Sequence, residues 1–267
     1  MTKIMDNAFE TVGLYSMVIC PFAQRTRIHL QLKNIPFELV NLDICKPRPD
    51  WFLSMNPSGQ VPVLAVDTEV TCDSSLISEY IEERFSHPLP FGSSPVQRYK
   101  LRELIKYTDT KFIPALYILM ASQTEEERAI RMEAALETWR WLNSFLEECN
   151  YEGGFLGTSF GLGEISIAPF FLRYEVISYY HDFELPTGAD YAYVQQWRSE
   201  ILKAPVVRQT AETTNDLIKM YEDYTVGYFN GAIPPGKEVS SSDLSIPLNN
   251  RPMPLKAAYL RHTEQIR

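Results

Sequence analysis

Apolar and polar positions change rhythm near residue 85 of this 267-residue chain. Before that point, short apolar runs alternate with helical patterns. Residues 11–15 read as a strand, and a brief connection over 16–19 leads to a helical run over 24–33 that carries Arg25, Arg27 and Lys33. Residues 37–43 alternate apolar with polar side chains at strand period. A short helix is expected over 49–53, a buried strand over 61–66, and a short strand over 69–72 after the turn at Asp67-Thr68. Asp73-Ser74 then opens a helix over 75–85, with Leu76, Tyr80 and Ile81 on one face. The order β-α-β-α-β-β-α, with helical crossovers between short strands, implies a small mixed four-stranded sheet.

Residues 86–95 are a linker by composition. Beyond them only helical patterns follow. One helix is expected over 96–121, kinked at Pro114, and another runs to 149 from a capping box at Thr124 to Glu127. Gly153-Gly154 breaks the chain. An apolar, buried helix over 164–180 contains Pro169, and shorter amphipathic helices cover 191–203 and 213–225. From Asn230 the chain turns to Pro, Ser, Gly and Asn, which favours irregular structure, and no internal repeat is visible. The expected plan is therefore a thioredoxin-like α/β domain over 1–86, an all-α domain over 96–229, and an irregular extension over 230–267.

Composition narrows the function classes. A hydrophobic content of 45% supports a sizeable core. The net charge of −9, with no basic-aromatic cluster, argues against a nucleic-acid partner. No apolar run approaches the ~18 residues needed to span a bilayer, and residues 1–10 show no apolar signal core. The four cysteines, Cys20, Cys45, Cys72 and Cys149, lack paired spacing, which fits a reducing, cytoplasmic setting. The four histidines, His29, His87, His181 and His262, form no ligand motif, so no metal is expected.

Candidate chemistry concentrates at Cys20-Pro21-Phe22-Ala23. A strand, a short turn and Cys-Pro at a helix start is an arrangement that makes a thiol acidic, because first-turn N–H groups lack intrahelical partners and point at the sulfur. Pro21 suits the first helical position. Helix N-termini and cations lower a thiol's pKa from about 8.5 to roughly 3.5–7.5. Ala23 replaces a second cysteine, so a mixed disulfide at Cys20 has no resolving thiol one turn on. An external thiol must release it, and glutathione is the usual one. The structural alternative is an inert buried cysteine.

Three further signals accompany it. Val61-Pro62 puts a proline where a central strand disfavours one; a cis bond ahead of the strand accounts for it and offers the Val61 backbone to an extended peptide, against the alternative of an edge strand. Asp73-Ser74 opens a helix, where N–H groups favour a carboxylate; the pair suits the α-amino-acid end of a γ-glutamyl group, and equally serves as an ordinary N-cap. Lys46 and Arg48 suit a carboxylate at the other end of a tripeptide, or are simply solvated.

Together these residues resemble the omega class of glutathione transferases. The resemblance rests on Cys20 to Arg25, Pro49 to Phe52, Asn56 to Leu64, and Asp73-Ser74 followed by Tyr80-Ile81. It spans roughly residues 10 to 230. Residues 46–51, 221–225 and 251–254 are further similar to the bacterial glutathione lyase of lignin β-aryl-ether degradation. Two departures stand out. Asp73 replaces a common Glu, and Gly161-Leu162-Gly163-Glu164 replaces a Ser/Thr capping box, which leaves that helix supported mainly by packing.

The resemblance implies Cys20 as nucleophile, and Phe22, Lys46, Arg48, Val61, Pro62, Asp73 and Ser74 around glutathione, the co-substrate. It implies a hydrophobic aromatic substrate held between the domains by Tyr107, Ile113, Tyr221 and Tyr224, with Tyr221 donating to a developing enolate, and a homodimer. The expected reaction removes glutathione from an aromatic β-keto thioether through a Cys20–glutathione mixed disulfide that a second glutathione resolves. Two other readings stay open: a general thiol transferase or dehydroascorbate reductase using the same cycle, and a non-catalytic ligand-binding protein. The extension covers the pocket or is disordered.

Overall fold

The computed structural model describes residues 11–85 and 94–255. Most of the expected linker, residues 1–10 and the end of the extension lie outside them, as do His87 and His262.

The N-terminal elements follow the predicted order: β1 (Val12–Ser16), α1 (Pro21–Leu32), β2 (Glu38–Asn41), α2 (Asp50–Met55), β3 (Val63–Val66), β4 (Glu69–Cys72) and α3 (Ser74–Arg84). The sheet order is β2-β1-β3-β4. β1 runs parallel to β2 and antiparallel to β3, which is antiparallel to β4. The parallel pair needs a crossover, and α1 supplies it. Buried Val12, Leu14, Leu64 and Val66 from the strands meet Leu30 from α1 and Ile77 and Ile81 from α3 in one small core. The Val61–Pro62 bond is cis and precedes β3 rather than lying within it, so the ladder needs no N–H from Pro62.

The helical region comprises α4 (Pro95–Tyr107), α5 (Ile113–Met120), α6 (Glu125–Glu148), α7 (Leu162–His181), α8 (Ala189–Lys203), α9 (Pro205–Gln209) and α10 (Thr214–Met220). The single kinked helix expected over 96–121 is two helices joined by a π-helical turn, Thr108–Phe112, immediately before Pro114. A proline early in a helix sits where its missing N–H is tolerated. The predicted helix over 213–225 ends at Met220 and continues as a 3-10 turn, Asp223–Val226; α9 was not anticipated.

Two predicted caps need correction. Thr124 accepts from the Glu127 N–H, but the Glu127 carboxylate reaches the Gln123 N–H, one residue early, so the box is not reciprocal. At α7 the glycine N-cap is not left to packing. Glu164, 1% exposed, accepts from the N–H groups of Gly161 at 2.9 Å and Leu156 at 2.6 Å, and from Trp197 Nε1 at 2.8 Å. Burial nonetheless pushes the Glu164 carboxyl above its usual range.

The helical core centres on Trp139, Phe171, Tyr174 and Trp197, and it reaches into the first domain through Ile19 and Ile28. Helix α1 thus packs on the sheet side and against α7. Among the described residues no helix is long and apolar enough to cross a membrane, and no group of His, Cys, Asp and Glu is placed to hold a metal.

Candidate active site at the start of helix α1

Cys20 is the N-cap of α1, with extended backbone and Pro21 in the first helical turn. Its sulfur accepts from the Ala23 N–H at 3.5 Å, and its thiol faces the Val61 carbonyl at 3.8 Å. The two signals read separately from the sequence therefore meet in space. The expected acidity is not what the fold delivers. Burial pushes the Cys20 thiol above its ordinary value, while the N–H groups of Ala23 and Phe22 and the guanidiniums of Arg173 and Arg27 pull it down. Helix start and cations act in the predicted sense, and desolvation outweighs them.

Lys46 and Arg48 separate clearly. Arg48 spends its guanidinium on the carbonyls of Gly59, Asp43 and Lys46 at 3.2, 3.0 and 2.9 Å. Gly59, at φ +68°, lies so close to the Arg48 stem that a Cβ there would sit 3.3 Å from it. Arg48 is thus a brace for the β2–α2 loop. Lys46, 76% exposed, pairs with Asp43 at 3.3 Å and its charge reaches Asp243.

Asp73 has φ +71°, and its Oδ1 caps α3 by accepting from the N–H groups of Ser75 and Leu76. The capping role expected of the pair thus falls to Asp73. Ser74 is buried, and its hydroxyl accepts from Arg25 Nη1 at 3.2 Å. Arg25 also donates to the Ser166 carbonyl at 2.7 Å and pairs with Asp109 at 2.7 Å. Phe22 and Phe170 flank its guanidinium. This residue rivets α1 to α3, α7 and the π-turn.

The expected pocket residues divide. Tyr107 stacks face to face on Trp141, with centroids 3.5 Å apart, and Ile113 is 5% exposed in the helical core. Among the described residues no hydrogen bond or ring contact links either to Cys20. Tyr221 and Tyr224 do approach it. The Tyr221 hydroxyl, however, is 3.2 Å from the Ile19 carbonyl, to which it donates, and accepts from Arg173 Nε at 3.3 Å. It is committed to the turn before Cys20, not to an enolate. The Tyr224 ring lies 4.8 Å from Tyr221, and its hydroxyl oxygen accepts from the Asn230 N–H at 3.2 Å. Burial and Tyr221 push the Tyr224 hydroxyl well up, and it senses the Cys20 charge.

The described part of the extension carries a short 3-10 turn, Leu248–Asn250, and is pinned along its length. Gly231, at φ +77°, crosses the β2–α2 loop so tightly that a Cβ would fall 2.9 Å from the Ile44 carbonyl. The Cys45 Sγ lies against the same crossing, 3.2 Å from that Cβ position. Buried Asp223 accepts from the Ser241 N–H at 2.5 Å, the Ser240 hydroxyl at 3.2 Å and Lys237 at 2.6 Å. Farther on, Lys219 holds the Leu248 carbonyl at 2.8 Å, and Tyr179 bonds the Pro254 carbonyl. The strap thus ties the helical region to the loop carrying Lys46. A cavity of about 670 Å³ lies elsewhere, between α6 and the start of α8.

Sequence reading missed Arg173, Gln24 and the bonding of Arg25. A signal for Arg173 existed: it is the one arginine in the apolar run of α7.

Comparisons with known proteins agree with this geometry. Residues 14–89 match the family model described as glutathione S-transferase, N-terminal domain. The chain is 25% identical over 246 residues to a probable glutathione transferase omega-2 of Caenorhabditis elegans, covering 85% of this chain and 94% of that protein. It is 29% identical over 220 residues to glutathione S-transferase omega-1 of Rattus norvegicus, covering 79% and 86%. The solved Tau class glutathione S-transferase of mango, Mangifera indica, shares the fold at TM-score 0.74 and 23% identity, covering 80% of this chain and 98% of that one.

Proposed function

We propose that this chain, of the glutathione S-transferase family with omega-class homologues at modest identity, is a glutathione-dependent thiol transferase working through Cys20. One observation carries the reading: the Cys20 sulfur caps α1 and faces the Val61 carbonyl, where an extended tripeptide can pair with the backbone. In this reading Lys46 meets the glycine carboxylate of glutathione. Ser74, whose hydroxyl accepts from Arg25, keeps its proton for the γ-glutamyl carboxylate. Asp73 uses Oδ1 as cap and offers Oδ2 to the ammonium. Phe22 and Pro62 shape the floor.

The finer proposal concerns the substrate, an aromatic β-keto glutathione thioether. The Cys20 thiolate attacks the glutathione sulfur. A Cys20–S–S–glutathione bond forms, the carbon–sulfur bond breaks, and its electron pair is delocalised into the ketone as an enolate, which takes up a proton. A second glutathione thiolate then attacks the bound glutathione sulfur, giving glutathione disulfide and the Cys20 thiolate. Tyr224 is the better donor to the enolate oxygen, because Tyr221 is engaged with Ile19. The strap walls this site from the side of Lys46.

Turnover of such a thioether with excess glutathione, by the native protein and Cys20→Ser, tests both levels. Equal ketone and glutathione disulfide, lost in the variant, is the expected result. Cys20-dependent reduction of a simple mixed disulfide without ketone release would leave the general thiol transferase and remove the thioether. Glutathione binding with neither activity would point to a binding protein. Exposed Val70 and Leu76 on β4 and α3, and Val96 and Tyr99 on α4, support a homodimer. The four free cysteines support a reducing, cytoplasmic setting.

A further inference from the structure

Behind Cys20 lie two buried guanidiniums, Arg173 and Arg27; the charge of Glu212 reaches Arg27 without forming an ion pair with it. Arg173, 1% exposed, donates to the Ile19 carbonyl at 2.9 Å, Gln24 Oε1 at 2.6 Å, the Pro169 carbonyl at 3.0 Å and the Tyr221 hydroxyl at 3.3 Å. Every one of these acceptors is neutral. Arg27, 9% exposed, leaves its Nε without a hydrogen-bond partner. Neither forms an ion pair among the described residues, whereas Arg25, one turn away, has Asp109 at 2.7 Å. Burial and the charge of Arg173 bring the Arg27 guanidinium down to about 10. A buried charge with no partner is costly, and a fold keeps one where an opposite charge arrives in function.

We infer that Arg173 is a positioning residue for Cys20 and, with Arg27, forms the counter-charge of the thiolate that Cys20 carries during turnover. This rests on the thiol-transferase reading. Arg173 acts in two ways. Its bond to the Ile19 carbonyl, shared with Tyr221, fixes the peptide that ends at Cys20. Its charge is matched only when the sulfur is anionic. That happens before attack and again at resolution, when the incoming glutathione thiolate bonds to the glutathione sulfur and the Cys20 Sγ leaves with the electron pair of the broken S–S bond. In the mixed disulfide the sulfur is neutral and the guanidiniums are again unmatched, which favours the leaving thiolate. The charged or titratable groups facing Cys20 are Arg25 and Arg27 from α1, Arg173 from α7 and Tyr224 beyond α10; Asp109 already neutralises Arg25, and Glu212, between α9 and α10, offsets part of the Arg27 charge.

The test is the pH dependence of Cys20 alkylation by iodoacetamide in the full chain, read by peptide mass spectrometry so that Cys45, Cys72 and Cys149 are counted apart. Arg173→Gln and Arg27→Gln are expected to move the midpoint up by about one unit, roughly a tenfold loss of thiolate below it. Arg173→Lys, which keeps the charge, holds the midpoint near the native one. Unmoved midpoints in both glutamine variants would overturn the inference, as would a lysine variant that shifts as far as the glutamine one. Should Arg173→Gln fail to fold, Arg27→Gln decides alone, since Arg27 contributes charge and no bond at Nε. Alkylation needs no substrate. A shifted midpoint without turnover therefore counts against the thiol-transferase reading only, and turnover without a shift counts against this inference only.

Discussion

Two helices of this protein, α1 and α7, start at polar side chains of opposite chemistry. At α7, Glu164 gathers three donors on one buried carboxylate at 2.6–2.9 Å: the N–H of the N-cap Gly161, the N–H of Leu156 and the ring N–H of Trp197. At α1 the acceptor is a sulfur, 3.5 Å from the Ala23 N–H, with the charges of Arg173 and Arg27 behind it, neither in an ion pair among the described residues. A carboxylate makes a strong, permanent cap. A thiol makes a weak one that improves greatly when it ionises. The first start is built for stability and the second holds interaction energy in reserve for a charged state of Cys20.

Substitutions at the two starts should therefore have opposite signatures. Cys20→Ser keeps a cap of similar shape and is expected to abolish turnover, by roughly three orders of magnitude or more, as expected for loss of a nucleophile. Its thermal unfolding midpoint should stay close to the native one. Glu164→Ala should do the reverse. It strands three buried donors, each costing about 1–3 kcal/mol, so a loss of roughly 3 kcal/mol or more is expected in denaturant unfolding, with activity per folded molecule retained. Equal loss of stability in both variants would erase the contrast.

A smaller effect belongs to the strap. Asp223→Asn weakens the hold on Lys237, Ser240 and Ser241, and should cost about 1–2 kcal/mol. Limited proteolysis should then cut first after Asn230, with α1 and α7 still protected. Cleavage elsewhere would show that Asp223 is not the anchor.

The smallest effect is acid sensitivity. Burial holds His29 and His181 below the usual histidine range, against the pull of Glu82 on the first and of the Met120 carbonyl on the second. The unfolded chain then binds protons first, so the stability contributed by neutral histidines is present above about pH 6.5 and is lost as pH falls below it. Burial also acts on Glu82, but its bonds from His29 and Lys33 prevail and hold it low, which extends the loss to more acid pH. Unfolding midpoints at about pH 5.5 and 7.5 check this sign, and greater stability at the lower pH would contradict it.

What the sequence revealed, and what it hid, follows the range of the forces involved. The order of the first seven elements, the cap at Cys20 and the bond before β3 are written in residues within a few positions of one another, and pattern rules reached them. The π-turn before Pro114 and the end of α10 depend on packing against α6 and the extension. Arg48 and Lys46 look alike in sequence, and the carbonyls of Asp43 and Gly59 tell the brace from the exposed cation. The hydroxyl partner of Tyr221, the Ile19 carbonyl, is 202 residues away and beyond any local pattern. The acidity expected of Cys20 failed for the same reason. Local rules count the helix N–H groups and cannot count the desolvation imposed by later elements. The strap is the clearest case. Its composition spoke for irregular chain and said nothing of buried Asp223, which holds it.

The most direct test of the central claim is to trap the intermediate. The full chain is mixed with one equivalent of a glutathione mixed disulfide in the absence of free glutathione, then digested and mapped by mass spectrometry. The account predicts one glutathionyl group on the peptide that holds Cys20, removed when glutathione is added, and none on the Cys45, Cys72 or Cys149 peptides. A glutathionyl group on another cysteine, with turnover unchanged in Cys20→Ser, would contradict it.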